Sequence, residues 1–492
     1  MKLTLKIFIF SFFCFIKANE QLNLEAILSN LKNHNGIEHN FDINLLKRQA
    51  KRKWTILLYA AADNDLHYFA WNNIKQLATG ANENVYIIVQ LHEPGKNKKT
   101  QRYLIEKNKA LLLNKENQQK LDSGDPKTLI DFCIWSIKHF PADNYMLDLS
   151  NHGSGVIDRG LARLINPSEL FVLNPSNLML ELDRSIEFLE YLELRQYKNW
   201  LHKTGDCRCP KNKNGKCIIL ENQFQDPRGV CFDETYQSYL TNQKLDYALN
   251  VTCKEISSFL NEKDFKFHIF GMDACLMQMI EIANIAKKYA KILVASTEVE
   301  LGPGWEYVKI LKPLEEHNLD PKAFAKHIVK SYEETYSGIT NEYTLSALNL
   351  DVMDKLEKNV NQIAATLIEI LQNQKDNSAK NVIKKCKSNI AFEEPSYVDL
   401  ASLYINLNNN MNKFTMKNAD SEKLKNTLQT LIEEGLKIIS ETIIENVAGN
   451  NVSYSKGLSI YFPEKRIHTS YHKTEFAQTN QWINFLLHYV AL

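Results

Sequence analysis

Cys275 is the residue whose setting in this chain best suits a reactive group. It lies in the run KFHIFGMDACLMQMIEIA, Lys266 to Ala283, which begins with the alternating bulky residues of a buried strand and continues with the apolar spacing of a helix. The ends of parallel strands border the crevice in which α/β proteins hold reactive groups, and helix N-terminal amides there lower a thiol pKa. The sequence therefore predicts that Cys275 is a nucleophile. The alternative is a small buried hydrophobe, the commoner fate of a free cysteine.

A second apolar run ends in a histidine. The stretch YMLDLSNHGSG, Tyr145 to Gly155, reaches His152 and passes directly into Gly153. Glycine at this point lets the backbone turn its N–H toward a site. A lone histidine is more often an ordinary core or surface residue, but a thiol and an imidazole at two strand ends form the pair needed for attack of a thiolate on a carbonyl. The two stretches together predict a catalytic pair.

Both residues depend on short apolar strands that alternate with helices. The predicted strands are 55–60, Val85 to Leu91, 145–150, 267–271 and Ile292 to Ser296, and the predicted helices among them are Leu66 to Ala78, Pro126 to His139 and Leu276 to Tyr289. This order indicates an α/β fold, with a mostly parallel sheet covered by helices on both faces. Asp63 and Asp65, just beyond the first strand, are expected to cap the next helix, with a role in the site as the less favoured interpretation.

Several motifs resemble those of one enzyme family. They are SNHGSG, MDACLM and ASTEVELGPGWEY in that order, with WTILLYAAADNDL before them and SYVDLASL and GLSIYFP after them. The ordered set resembles the clostripain-like cysteine peptidases, relatives of caspases, legumains, gingipains and separase, and it extends over most of the chain. The resemblance implies a caspase-like arrangement of the sheet and cleavage of peptide bonds on the carboxyl side of Arg or Lys.

The expected chemistry is peptide-bond hydrolysis through a thioester. Cys275 attacks the carbonyl carbon, and His152 moves the proton to the leaving amine. The backbone N–H groups of Gly153 and Cys275 are the expected donors to the oxyanion. The resembling family uses a dyad, so no third residue is assigned.

Acidic residues near the nucleophile are the candidates for binding a basic substrate side chain. Asp273 lies two residues before Cys275, and a buried carboxylate is a good partner for a guanidinium or an ammonium. The alternative is a helix cap, and the family resemblance favours the pocket. Glu298 and Glu300 are further candidates, with surface ion pairs as their alternative role.

The chain divides into four predicted segments. Residues 1–18 have a short positive start and an apolar core typical of a secretory signal, so we expect a secreted or periplasmic protein. Residues 19–53 are a polar linker or a pro-segment. Residues 54–375 are the peptidase domain, with an insertion at about 163–245, and residues 376–492 are a C-terminal α/β subdomain.

The insertion is rich in cysteine and lysine. Cys207, Cys209, Cys217 and Cys231 lack the paired spacing of zinc sites, so disulfides are the simpler interpretation in an exported chain. We expect the enzyme to cut itself between His152 and Cys275, with the two chains staying associated, either in the cysteine-rich stretch or soon after His152, at Arg159 or Arg163. Calcium dependence occurs among relatives, but no EF-hand loop is present and no metal or other cofactor is expected.

The overall composition excludes several functional classes. Of 492 residues, 59 are Lys or Arg and 58 are Asp or Glu, so positive and negative charges almost balance. The chain therefore lacks the excess of positive charge that would indicate a nucleic-acid partner. No later apolar run is long enough to span a membrane. The expected partners are therefore protein or peptide substrates containing Arg or Lys.

Two other functions use the same residues. One is a caspase-like binding or scaffold protein without turnover, which the presence of both Cys275 and His152 disfavours. The other is an acyl-transferring enzyme such as a transpeptidase, which product analysis with an added amine would distinguish from a hydrolase.

Overall fold

The computed structural model describes residues 49–114, 119–156 and 229–492, except the single residues 318, 376 and 469. The strands are β1 Arg52–Ala61, β2 Val85–His92, β3 Gln101–Glu106, β4 Lys109–Leu112, β5 Ala142–Ser150, β6 Val230–Asp233, β7 Ser238–Leu240, β8 Phe267–Asp273, β9 Ala290–Ala295, β10 Thr344–Asn349, β11 Tyr397–Asp399, β12 Ile443–Ala448 and β13 Ser459–Tyr461. The signal segment at 1–18 and most of the predicted linker lie outside the described residues.

One nine-stranded sheet organises the molecule. Its strand order is β12-β10-β9-β8-β5-β1-β2-β3-β4. The five central strands, β9 to β2 in this order, are parallel, and the flanking pairs are antiparallel. Two small sheets pair β11 with β13 and β6 with β7. The predicted α/β fold with a mostly parallel sheet is confirmed.

Apolar cores cover both faces of this sheet, which is why its central strands are largely apolar. In β5, Leu147 and Leu149 belong to one core, whereas Met146 belongs to the other. Successive side chains of a strand point to opposite faces, so a strand buried on both sides shows little alternation between apolar and polar residues.

Helices pack on both faces. They are α1 His67–Gly80, α2 Pro126–His139, α3 Asn242–Leu260, α4 Ile280–Ala286, α5 Tyr307–Leu311, α6 Pro313–Glu316, α7 Pro321–Tyr336, α8 Met353–Asn373, α9 Ser378–Lys387, α10 Leu400–Asn409, α11 Ala419–Thr442, α12 Glu475–Thr479 and α13 Trp482–Ala491. The core that contains Leu147 is built with α2, α3, α4 and α8, and the core that contains Met146 with α1, α5 and α7.

The helix at 126–139 begins and ends where the sequence predicts, and the helix at 321–336 has the same start signal. Each has proline at its first position and an aspartate before it. Asp125 accepts a hydrogen bond from the amide of Lys127 at 2.9 Å, and Asp320 accepts from the amides of Lys322 and Ala323. The side-chain cap and the fixed φ of proline explain why these boundaries are readable from sequence.

Other boundaries differ from the prediction. The first strand begins at Arg52 rather than at Thr55, because the guanidinium of Arg52 donates to the Val85 carbonyl and Lys53 pairs with Asp143. Helix α9 lies at the start of the predicted C-terminal subdomain. The last range, 376–492, contributes β12 to the main sheet.

None of the helices in the described ranges combines the length and the apolar composition that crossing a membrane requires.

Candidate active site

The strand ends that carry the predicted pair are neighbours. Ser150, the last residue of β5, is in register with Ala60 of β1 and with Asp273 of β8. Just beyond the strands, the amide of Asn151 donates to the carbonyl of Asp273 at 3.3 Å. The residues that follow β5 and β8 therefore emerge side by side at the carboxyl edge of the sheet. This is the crevice that the sequence predicts.

Cys275 lies in this crevice with its side chain buried. Its Sγ accepts a hydrogen bond from the backbone N–H of Glu300 at 3.1 Å, and the Glu300 carbonyl lies 3.8 Å from the same sulfur. The sulfur of Cys275 therefore has both a backbone donor and a backbone acceptor in the same residue. The loop after β9 thus supplies a donor to the candidate nucleophile.

The predicted helix immediately after Cys275 is wrong at its start. Helix α4 begins at Ile280, so its N-terminal amides are not next to the thiol. Leu276 has a φ of 61°, in the left-handed region, and its amide donates to the Glu298 carbonyl at 3.1 Å. These long-range bonds override the helical spacing: the chain turns at 275–276 and then runs to Met279, which bridges to Ser459. The thiol environment depends on this turn and on the loop after β9 rather than on a helix dipole.

His152 is 2% exposed, and its Nε2 lies 2.8 Å from Oδ1 of Asp65. A carboxylate only accepts hydrogen bonds, so in the neutral imidazole this contact places the proton on Nε2 and the lone pair on Nδ1. Asp65 lies in the turn between β1 and α1, and its side chain is 41% exposed. The turn after β1 thereby orients His152, which follows the neighbouring strand β5.

The prediction that Asp63 and Asp65 cap the first helix is wrong. Helix α1 has no side-chain cap. The buried carboxylate of Asp63 pairs with Lys120 and accepts a hydrogen bond from the Thr235 hydroxyl at 2.8 Å. Both aspartates bind partners that are distant in sequence. Capping rules consider only neighbouring residues, so they do not predict these contacts.

Gly153 is required by close packing. A Cβ at this position would overlap the carbonyl oxygen of Cys275 and would lie 3.1 Å from the Cβ of Ala274. The backbone after His152 therefore rests directly on the backbone at Cys275. A side chain here would push the two strand ends apart.

Asp273 is fully buried beneath this contact. Its Oδ2 lies 3.1 Å from the hydroxyl of Tyr307 and 3.4 Å from that of Ser150. The same Tyr307 hydroxyl lies 2.8 Å from Oδ2 of Asp148, a second fully buried carboxylate. Asp273 has no cap role in α4, which starts seven residues later. It belongs instead to a buried group of acids and phenols.

Glu300 and Glu298 lie in different surroundings. Burial raises the pKa of Tyr332 well above its usual value, and the charges of Glu300, Asp273 and Cys275 add to the effect, so Glu300 lies near the other two. Glu298 instead accepts from the amide of Glu393 at 3.0 Å with both carboxylate oxygens. Both glutamates are buried, so the alternative of surface ion pairs is wrong. Glu298 thus fixes the position of the loop at Glu393, in the C-terminal range.

The chain returns from the insertion beside His152. Gly153 bridges to Val230, and the amide of Ser154 donates to the carbonyl of Gly229 at 3.2 Å. The amide of Gly229 in turn donates to the Ser154 hydroxyl at 3.1 Å. Residues 156 and 229, which border the part of the insertion outside the described residues, are therefore both held at the candidate site.

The disulfide prediction fails for Cys231. This residue is a free, fully buried thiol in β6, and burial raises its pKa well above the usual value. A thiol kept protonated in the core is unreactive. The other three cysteines of the expected set, Cys207, Cys209 and Cys217, lie outside the described residues. Besides Cys231 and Cys275, the free cysteines of the described residues are also buried: Cys133, Cys253 and Cys386.

Three residues of the site were not assigned from sequence. Asp65 was assigned to a cap, and Asp148 and Tyr307 were not singled out. Asp148 had a readable signal, because it is the one charge within the apolar strand YMLDLS. In the described ranges, no group of three or more His, Cys, Asp or Glu residues is arranged to hold a metal ion.

Comparison with known proteins adds a family match. The sequence model of the clostripain family matches residues 58–162 and 213–489. The clostripain of Hathewaya histolytica is 22% identical over 500 aligned residues, which cover 89% of this chain and 80% of that protein.

Solved structures share the fold. A secreted C11 cysteine protease from Bacteroides thetaiotaomicron, in complex with an irreversible peptide inhibitor, has a TM-score of 0.51 at 16% identity over 88% of this chain and 99% of its own. A second structure from that organism, called iotapain, has a TM-score of 0.54 at 13% identity over 89% and 100%. An inactive zymogen of a C11 protease from Parabacteroides distasonis has a TM-score of 0.51 at 16% identity over 89% and 99%. At these identities, the likeness shows the fold.

Proposed function

The chain belongs to the clostripain family of cysteine peptidases, and from this membership we propose that it cleaves peptide bonds after arginine or lysine with Cys275 as nucleophile and His152 as general base. The observation that carries the proposal is the contact between Gly153 and Cys275. It holds the thiol and the imidazole at adjacent strand ends, where base and nucleophile act on one carbonyl group.

The reaction proceeds in two steps. The Cys275 sulfur forms a bond to the scissile carbonyl carbon, and its proton passes through His152 to the leaving nitrogen as the C–N bond breaks. Water then attacks the thioester, His152 accepts a proton from the water, and the C–S bond breaks to restore the thiol. The N–H groups of Gly153 and Cys275 are the proposed donors to the oxyanion, each contributing roughly 3 kcal/mol to lowering the barrier. The dyad itself requires no cofactor, and chelation of calcium tests whether the fold needs that ion.

Asp273 is the proposed partner of the basic substrate side chain. Its carboxylate is fully buried two residues before the nucleophile, and a buried carboxylate favours a cation as its partner. Glu300, whose backbone contacts the sulfur of Cys275, is the second acid that the geometry supports. Glu298 is less well supported because backbone amides occupy both its oxygens.

We also propose self-processing and export. The residues on either side of the insertion lie beside His152, so the chain leaves the fold and returns to it at the candidate active site. Its sequence carries many basic residues, among them Arg159, Arg163 and Arg208. Two chains that stay associated would result, one with His152 and the other with Cys275. The first 18 residues support secretion.

Replacement of the pair tests the proposal. Cys275→Ala and His152→Ala should each abolish hydrolysis of arginyl and lysyl amides without loss of fold, because nucleophile and base act as one unit. Cys386→Ala, which removes a buried thiol of helix α9, is the matched control and should retain activity. Near wild-type turnover by Cys275→Ala would show that the assignment is wrong.

Asp273→Asn tests the pocket. It should lower kcat/KM for basic substrates far more than for a neutral analogue, because it removes the charge that offsets a buried cation. An equal loss on both kinds of substrate would contradict the pocket role.

A further inference from the structure

Asp148 lies on the same face of the sheet as Asp273. Alternate residues of a strand share a face, so Asp148 points with Met146 into the core that also contains Trp305. It is in register with Gly271 of β8, two residues before Asp273. Strand residues rise about 3.3 Å each, so Asp148 lies about 7 Å deeper than the strand end at Ser150.

Gly271 leaves the space in which the Asp148 carboxylate sits. A Cβ on Gly271 would lie 2.9 Å from Oδ1 of Asp148 and 3.1 Å from the Cη2 atom of the Trp305 ring. The carboxylate and the edge of the indole ring therefore both lie beside this glycine. This combination of an acid and an aromatic ring suits a guanidinium, which stacks on rings as well as donating hydrogen bonds.

One phenol connects the two acids. The Tyr307 hydroxyl lies 2.8 Å from Oδ2 of Asp148 and 3.1 Å from Oδ2 of Asp273. A phenol has a single proton, so it donates to one carboxylate at a time. Two fully buried carboxylates this close raise each other's free energy when both are ionised, and a cation bound between them relieves that repulsion.

We propose that Asp148 is the deeper of two carboxylates in the specificity pocket and that it makes the enzyme prefer arginine to lysine. The inference rests on the proposed function, in which Asp273 receives the basic side chain. An ammonium is a point charge that the shallower Asp273 satisfies. A guanidinium has several N–H donors in a planar fork, which reaches both Asp273 and Asp148.

The experiment compares two substrates that differ only in Arg or Lys at the cleaved bond. Wild-type enzyme should have the higher kcat/KM for arginine. Asp148→Asn should lower the arginine value by about tenfold to a hundredfold, the effect of one charge-assisted hydrogen bond, and the lysine value much less. Glu83→Gln, which removes the charge of an exposed carboxylate outside the site, is the control and should preserve the preference.

A merely structural role for Asp148 would lower both values equally, and that result would overturn the proposal. A measurement on the wild-type enzyme does not depend on the variant's folding. Butylguanidine should inhibit at least tenfold more tightly than pentylamine, which also carries one positive charge, and equal inhibition would also overturn the proposal. If the enzyme cleaves neither substrate, or if cleavage does not depend on Cys275, the proposed function and this inference are both overturned. If the enzyme is active but Asp148→Asn leaves the preference for arginine unchanged, only the inference is overturned.

Discussion

The Asp65 carboxylate holds the His152 imidazole in one orientation. Its Oδ1 accepts from Nε2, which leaves Nδ1 as the nitrogen that can exchange a proton with another group. Asp65 is half-exposed, so its contribution to stability is small, as for other exposed ion pairs. Its effect should therefore appear in catalysis rather than in folding, which makes it a positioning residue for a pair otherwise regarded as a dyad.

Asp65→Ala should lower kcat by about tenfold to a hundredfold with little change in KM, because a freely rotating imidazole is in the right orientation for only part of the time. Asp65→Asn retains an oxygen acceptor and should recover part of the loss. Steady-state kinetics with a basic amide substrate measures both, and Glu83→Gln, at an exposed position, is the control. Equal activity of Asp65→Ala and wild type would exclude the positioning role.

Gly153→Ala should nearly abolish activity and destabilise the fold by about 1–3 kcal/mol, because the added methyl group overlaps the Cys275 carbonyl. Gly338→Ala is the matched control, since a Cβ on that glycine would have no atom within 4 Å. Thermal unfolding and amide hydrolysis should be measured on both variants. A fully active Gly153→Ala protein would show that activity does not require close contact between the backbones at Gly153 and Cys275.

Glu281, in the first turn of α4, links the turn after Cys275 to the C-terminal range. Its Oε1 accepts from the amide of Tyr461 and from the hydroxyl of Tyr471, both at 3.0 Å. Burial raises the pKa of this carboxyl group to about 7, while its hydrogen bonds oppose the shift. The folded state therefore binds a proton at pH values where the unfolded chain has released it.

A raised carboxyl pKa makes stability fall as pH rises. The contribution of protonated Glu281 is complete below the unfolded pKa near 4.5 and is lost as pH rises through about 7. Between pH 5 and pH 8, Glu281→Gln should therefore gain roughly 3 kcal/mol relative to wild type, since the amide never ionises. Denaturant unfolding at both pH values measures this, with the exposed Glu434→Gln as the control. A pH-independent difference would contradict the buried titration.

Elements with a local signal could be predicted from sequence, and those set by distant contacts could not. The helix at 126–139 has an aspartate cap and a proline, and both act within one turn. Helix α4 was predicted to start at Leu276 because the apolar spacing is continuous, but Leu276 bonds to Glu298 across the crevice. The strands β3, β4 and β12, which lie at or next to the edges of the sheet, were missed because they mix polar with apolar residues and lack a continuous apolar run.

The same limit applies to the site. The proximity of the residues around Cys275 and His152 could be predicted because each residue shortly follows an apolar strand, and the register of the two strands makes their ends neighbours. Asp65 and Tyr307 contact the site from residues far away in sequence, so no local pattern marks them. Asp148 differs, because a single charge inside a buried strand has to be explained by a partner or a ligand.

At the scale of the whole molecule, a cut in the insertion would leave a sheet shared by two chains. The first would carry β1 to β5 and the second β6 onward, and β5 pairs with β8 over five residues in register. Because Cys231 is a free thiol, we expect the chains to co-purify under native conditions and to separate on a denaturing gel without a reducing agent. Separation only after reduction would indicate a disulfide between the chains.

The pairing of β5 with β8 also changes the molecularity of unfolding. An uncut chain unfolds in a reaction of one molecule, so its midpoint is independent of concentration. Once the insertion is cut, unfolding releases two molecules, and each tenfold dilution of the enzyme should lower the apparent free energy of unfolding by about 1.4 kcal/mol. A processed enzyme would thus be most durable where it is concentrated and would lose its fold as it is diluted, whereas its uncut precursor would not.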